Sequence, residues 1–289
     1  MKNIFEYILF LSFSKFFQLF GLNLSRKISF FIAILFYYII PIRKKTVLEN
    51  LHNAFPDYDE KKLKSIAFGS YKSFAIALAE ILYLPAMSKE DIENQINCSN
   101  LDLIRTKYEE NNGVILLTAH FGNWEFMATS VAAQLNIPLS VVIKPQRNPY
   151  VTNWMNKART KWNNEIVPLG ISIRQTYQTL KDKKIVAMVA DQRGPKESIK
   201  INFFGRNLTV HTGPAVLSLK TGAPIIYGIS VRQDDYSYKT VWTEISKENL
   251  PESNEEKIKE FSQRHMSYLE SYIRKYPKQW LWMHKRWKH

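Results

Sequence analysis

His120 and Glu125 stand five positions apart in the run Leu116-Leu117-Thr118-Ala119-His120-Phe121-Gly122-Asn123-Trp124-Glu125. The apolar residues before His120 read as a buried strand, and those after Asn123 as the start of a helix. A histidine where such a strand ends can take a proton near neutral pH. A carboxylate one turn into the helix can hold the imidazole's tautomer and stabilise the imidazolium that forms. Gly122 permits a tight turn, and Asn123 can cap the helix. The bland reading is a capped helix start, in which Glu125 merely suits the positive end of the helix dipole. A base and an acid flanking a small-residue turn favour proton abstraction from a hydroxyl.

Other polar groups fall where a ligand could meet this turn. Asp191-Gln192-Arg193-Gly194-Pro195 follows the apolar run 185–190, and Thr209 to Gly213 precedes a helix. In an open α/β sheet ligands bind beyond the carboxyl ends of the strands, so these groups can share one site. Asp191 is read either as a site carboxylate or as a turn former. Arg193 can bind phosphate or lie solvated. Arg159, within Lys157-Ala158-Arg159-Thr160-Lys161, is the chosen phosphate contact on a helix whose alternate charges point in different directions. The candidate set is therefore His120 and Glu125 as catalytic residues, with Asn123, Arg159, Asp191 and Arg193 as substrate contacts. No GxSxG elbow or HExxH spacing occurs, so neither a serine nucleophile nor a metal site is expected, and no cofactor is implied. The single cysteine, Cys98, excludes an internal disulfide.

The elements that must position these residues are strands and helices in alternation. Runs at 113–119, 139–143, 166–168, 185–190, 200–204, 223–231 and 239–245 read as strands. Helical patterns cover 59–84, 124–135, 150–162, 173–181, 213–220 and 255–275. Strands apolar throughout and separated by helices imply a largely parallel or mixed sheet covered on both faces, an α/β fold. The divisions expected are an apolar helical segment at 1–45, a helical region at 46–100 and the α/β catalytic domain at 101–289.

The amino end is unlike the rest. Residues 28–42 run uncharged, between Arg26-Lys27 and Arg43-Lys44-Lys45. A full span wants about 20 apolar residues, so this run is short unless Arg26 and Lys27 snorkel or face protein. Membrane association, by shallow insertion or a short span, is expected; packing as core helices is the alternative. The carboxyl end, Tyr276 to Lys288, mixes tryptophans with cations, which suits a membrane interface or stacking on nucleic-acid bases. The net charge of +14 points to anionic partners without choosing among them.

Taken together, the motifs make the chain resemble the lysophospholipid acyltransferase superfamily, and within it the late acyltransferases of bacterial lipid A biosynthesis. The likeness rests on His-Phe-Gly-Asn-Trp-Glu at 120–125, Asp191-Gln192, Phe203-Phe204-Gly205 and Thr221-Gly222-Ala223-Pro224, in that order. It continues in Pro277-Lys278-Gln279-Trp280-Leu281-Trp282 and Arg286-Trp287-Lys288, and towards the amino end in Asn50-Leu51 and Ala54-Phe55-Pro56. Glutamate at 125, where many members of the superfamily have aspartate, fits the lipid A branch. The resemblance implies a glycerolipid-acyltransferase-like fold at the bacterial inner membrane, with its site on the cytoplasmic side. It implies acyl carrier protein as donor and a hydroxyl of a phosphorylated glycolipid, a Kdo-lipid A precursor, as acceptor. Nucleic acid is not an expected partner. Two rivals remain: an acyltransferase for another lysophospholipid or glycolipid, and a basic membrane- or nucleic-acid-binding protein without catalysis.

Overall fold

The computed structural model describes residues 1–169 and 172–288. The first helix, α1 (Lys2–Ile34), bends at Gly21, whose φ of 74° and ψ of 165° lie outside the helical region, and ends in a π-turn at Leu35–Ile39. Then come α2 (Lys44–Ala54) and α3 (Glu60–Tyr83), the latter capped by the Asp59 side chain. Three short elements, α4 (Lys89–Gln95), β1 (Ile96–Cys98) and α5 (Leu101–Glu109), lead into the alternating part. That part runs β2 (Val114–Thr118), α6 (Trp124–Leu135), β3 (Leu139–Ile143), α7 (Pro149–Arg159), β4 (Glu165–Pro168), α8 (Ser172–Lys181) and β5 (Ile185–Val189). A hairpin of β6 (Lys200–Phe203) and β7 (Arg206–Thr209) follows. The chain closes with α9 (Gly213–Thr221), β8 (Ile225–Arg232), β9 (Tyr238–Glu244) and α10 (Asn254–Lys275).

Among the described residues the main sheet has seven strands in the order β1-β9-β8-β2-β5-β3-β4. It is mixed: β2 pairs in parallel with β5 and β8, whereas β8 and β9 form an antiparallel pair. β2 shows why its sequence lacks alternation. Ile115 and Leu117 enter one core cluster and Val114 and Leu116 another, because the strand is covered on both faces. The run at 200–204, expected beside the other strands, forms a separate antiparallel hairpin with β7. β1, α4 and α5 carried too short a pattern to be read.

α1 lies along α3 instead of standing apart from it. Phe17, Ala33 in the helix and Tyr37 in the following π-turn are buried, while Phe5, Ile8, Leu9, Phe13, Leu19 and Phe31 remain exposed. By length and composition the segment Lys2–Ile39 is apolar enough to cross a membrane. Arg26 takes the second of its two options and faces protein: its Nε donates to Glu80 Oε1 at 2.7 Å, with both side chains essentially unexposed. The core is continuous from Ala33 and Tyr37 through α2 and α3 to the sheet.

The tail overturns its reading as an interfacial or base-stacking segment. Trp280, Trp282 and Arg286 are buried, and the indoles pack edge-to-face 4.7 Å apart. Phe203 and Phe204 join them as core. Tryptophan beside cations suits an interface only if the rings reach the surface, and here the chain threads them under it.

Candidate active site

The parallel register of β2 and β5 sets Thr118 beside Val189. Two residues further along each strand, His120 and Asp191 therefore emerge side by side at the carboxyl edge of the sheet. Asp191 Oδ1 lies 2.7 Å from His120 Nδ1, and its Oδ2 accepts the His120 backbone N–H at 3.0 Å. Trp280 Nε1 donates to the same Oδ2 at 2.8 Å. An ionised Asp191 held this way keeps the proton on Nδ1 and leaves Nε2 as the basic nitrogen.

The electrostatics agree. Burial alone would push the Asp191 carboxyl up, but His120, Arg286 and the indole donor together hold it well below the usual range. Burial would likewise pull His120 down; Asp191, and Glu125 more weakly, outweigh it and leave the imidazole raised. The ring is not sealed off, with 17% of its side chain exposed. Trp124 packs against it edge-on at 4.8 Å, and the His284 ring lies 5.7 Å away.

The turn after His120 is clamped by the carboxyl end of the chain. Gly122 N–H donates to Gln279 O at 2.9 Å, and Leu281 N–H to His120 O at 3.0 Å. Gly122 has a φ of +56°, and a Cβ there would come 2.1 Å from Ser230 O, so only glycine fits. The Gly122 amide is thereby occupied and not free to receive an oxyanion. Asn123 caps α6 by accepting from Phe126 N–H at 3.1 Å, and its Nδ2 donates to Glu80 Oε2 at 2.9 Å. Its side chain, expected as a substrate contact, is wholly buried and engaged by these two bonds.

Glu125 differs from expectation most. Among the described residues its carboxylate makes no hydrogen bond to the His120 ring; it holds Arg159 in a two-pronged pair, Nε to Oε2 at 2.9 Å and Nη2 to Oε1 at 2.5 Å. Asp191 makes the orienting contact that spacing had assigned to Glu125. One helical turn sends Glu125 towards α7, whereas register in a parallel sheet brings position 191 beside 120. Arg159, chosen as a phosphate contact, is accordingly engaged by Glu125, and both side chains are only 11% exposed. Arg193 lies by the carboxyl end, its Nη1 3.4 Å from Lys285 O.

Three groups escaped sequence reasoning: Glu80, Gln279 and His284. Glu80 sits within an ordinary helical pattern, and nothing local distinguishes it. Gln279 and His284 belong to the carboxyl-terminal motif, which its tryptophans had drawn to the surface.

A histidine held by a buried carboxylate at the mouth of an α/β sheet has the arrangement of a general base, and no cluster of metal-binding side chains occurs among the described residues. The family model for bacterial lipid A biosynthesis acyltransferases matches residues 2–289, and the chain belongs to that family. It is 23% identical to the lipid A biosynthesis palmitoleoyltransferase of Escherichia coli K12, over 85% of this chain and 79% of that one. The E. coli lauroyltransferase shares 22% over the same proportions. A phosphatidylinositol mannoside acyltransferase of Mycolicibacterium smegmatis is 24% identical over 54% of this chain and 52% of its own. The protein is thus an acyltransferase of lipid A or related glycolipid synthesis.

Proposed function

We propose that the protein moves a fatty acyl group from acyl carrier protein to a hydroxyl of a phosphorylated glycolipid, a Kdo-lipid A precursor. The observation that carries this reading is the His120–Asp191 contact, which leaves Nε2 basic within a family of acyltransferases. His120 takes the proton of the acceptor hydroxyl, and the oxygen attacks the thioester carbonyl. The tetrahedral intermediate collapses, and the carrier's thiol leaves with the proton. Asp191 positions the imidazole and stabilises its charged form. Glu125 adds negative charge nearby and keeps Arg159 in place. General-base help of this kind is worth about 10²–10⁴ in rate, so alignment of the two substrates must supply much of the rest.

An acidic carrier has a complementary surface in a groove of about 810 Å³ whose walls include Lys44, Lys61, Lys64, Lys72 and Lys278. The exposed apolar face of α1 supports attachment to a membrane, and the proposed use of acyl carrier protein and a lipid A precursor makes this the inner membrane, with the site on its cytoplasmic side. The mycobacterial relatives' names support phosphorylated glycolipids more broadly as the acceptor class. Purified enzyme, labelled acyl carrier protein and a panel of acceptors test the reading. Transfer to a lipid A precursor and its loss in His120→Ala are expected. Unchanged turnover in His120→Ala would remove the base, and transfer confined to another acceptor would replace the substrate.

A further inference from the structure

Beside the catalytic histidine lies a pocket of about 310 Å³ lined by Arg43, Thr46, Gln192, Arg193, Lys285 and their neighbours His284 and Met283. Three of these residues are permanent cations and none is a carboxylate. The cations come from separate stretches of chain: Arg43 at the start of α2, Arg193 after β5 and Lys285 near the carboxyl terminus. Arg43 Nη1 is anchored to Met283 O at 3.1 Å and Arg193 Nη1 to Lys285 O at 3.4 Å, both through neutral carbonyls that leave the positive charge uncompensated. Gln192 Nε2 is 3.1 Å from His284 Nε2, which makes the imidazole the acceptor and the amide the donor.

More positive charge stands close by. Arg286 is 1% exposed, and all three of its guanidinium nitrogens lack an acceptor among the described residues. Its guanidinium lies over the rings of Phe203 and Trp280, 5.4 and 5.9 Å from their centroids. Arg193 Nε is likewise buried without an acceptor. Asp191, the carboxylate that acts on Arg286, is already occupied by His120 and Trp280. Arg286 stands behind the pocket wall and acts on Arg193 through space, so its charge adds to the positive field that an anion in the pocket meets.

We infer that this pocket is a phosphate-binding site, which holds a phosphate monoester of the substrate next to His120. Two guanidinium forks and an ammonium match the oxygens of a tetrahedral dianion, where a single carboxylate would leave charge unmet. The His284 ring, which lines the pocket, is 5.7 Å from the His120 ring, so a bound phosphate lies adjacent to the reacting hydroxyl. The inference rests on the proposed acyl transfer for its biological meaning, but the site binds phosphate whether or not that reaction is the right one.

The test is binding of inorganic phosphate to the full-length protein in detergent, read by calorimetry, in the wild type and in Arg43→Gln, Arg193→Gln and Lys285→Gln. Each variant is expected to bind about tenfold or more weakly, the loss of one charge-assisted contact. Arg193→Lys, which keeps the charge, recovers part of the affinity. Lys196→Gln, a neighbouring exposed cation outside the pocket, binds as the wild type does. Equal affinity in all three pocket variants, or equal weakening in Lys196→Gln, overturns the site. Kinetics then separate the sources. A KM increase in Arg193→Gln for the phosphorylated acceptor, absent for the same acceptor with its phosphate removed, supports the acceptor's monoester. An increase confined to the donor thioester overturns that assignment in favour of the donor's phosphodiester arm.

Discussion

The turn from His120 to Glu125 has a carboxylate-anchored group at each end, but the two ends are anchored for different purposes. At the first, Asp191 touches the imidazole itself and is the group that sets its tautomer. At the second, Glu125 grips Arg159, so its charge reaches His120 through space and its geometry locks α6 to α7. Between them, Asn123 is pinned by Glu80. Here the carboxylate five positions from His120 in sequence is not the one that touches its ring. In a parallel sheet the neighbour across the strand register is closer than the neighbour one helical turn away.

The strongest test of that difference is Asp191→Asn set against Glu125→Gln. Asparagine keeps the shape but favours the wrong imidazole tautomer, and kcat is expected to fall by about 10⁴. Glu125→Gln is expected to lose less, and a larger loss there would reverse the roles of the two ends. Stability gives the Glu125 end its own readout. Removing either partner of the buried Glu125–Arg159 pair strands the other charge and costs about 3–5 kcal/mol. The double variant Glu125→Gln with Arg159→Gln should lose less than the sum of the singles in urea unfolding.

Trp280→Phe makes a finer cut, because it keeps the packing and removes one donor from Asp191. A charged hydrogen bond of this kind is worth about 1.5–3 kcal/mol, and part of that loss is expected to appear as slower turnover with donor KM unchanged. The smallest effect is on the pH profile. His120 titrates above its ordinary 6.5, so the basic form, and with it kcat/KM, grows as pH rises through a midpoint above that value. Its contribution to stability runs oppositely: present in full below the unfolded pKa and lost as pH rises through the folded one. Asp191, held low, contributes above its unfolded value and loses that contribution as pH falls. Glu125→Gln should move the activity midpoint down by less than about one unit, and no movement would deny Glu125 its influence through space.

Much of this was legible in the sequence for local reasons. The runs 113–119, apart from Thr118, and 185–190 are apolar because both faces of their strands are covered, and the helix at 124–135 announces itself with its Asn123 cap. The site's edge followed from those strands. What stayed hidden needed distance in the chain. Register pairs His120 with a residue 71 positions away, Glu80 reaches Asn123 across 43, and the tail folds back to cover the turn. Arg26 could be read only as a charge that must snorkel or find protein, with no hint that Glu80 awaited it.

That Arg26–Glu80 contact has a practical consequence for anyone handling the protein. Glu80 is wholly buried and also accepts from Asn123 and from the Tyr238 hydroxyl, so the apolar helix α1 and the turn from His120 to Glu125 share one keystone. Trimming residues 1–42 to obtain a more tractable enzyme would withdraw Arg26 and uncover the inner face of α3. The trimmed chain is expected to be poorly soluble and inactive, where a detachable tether would have left a competent catalyst behind.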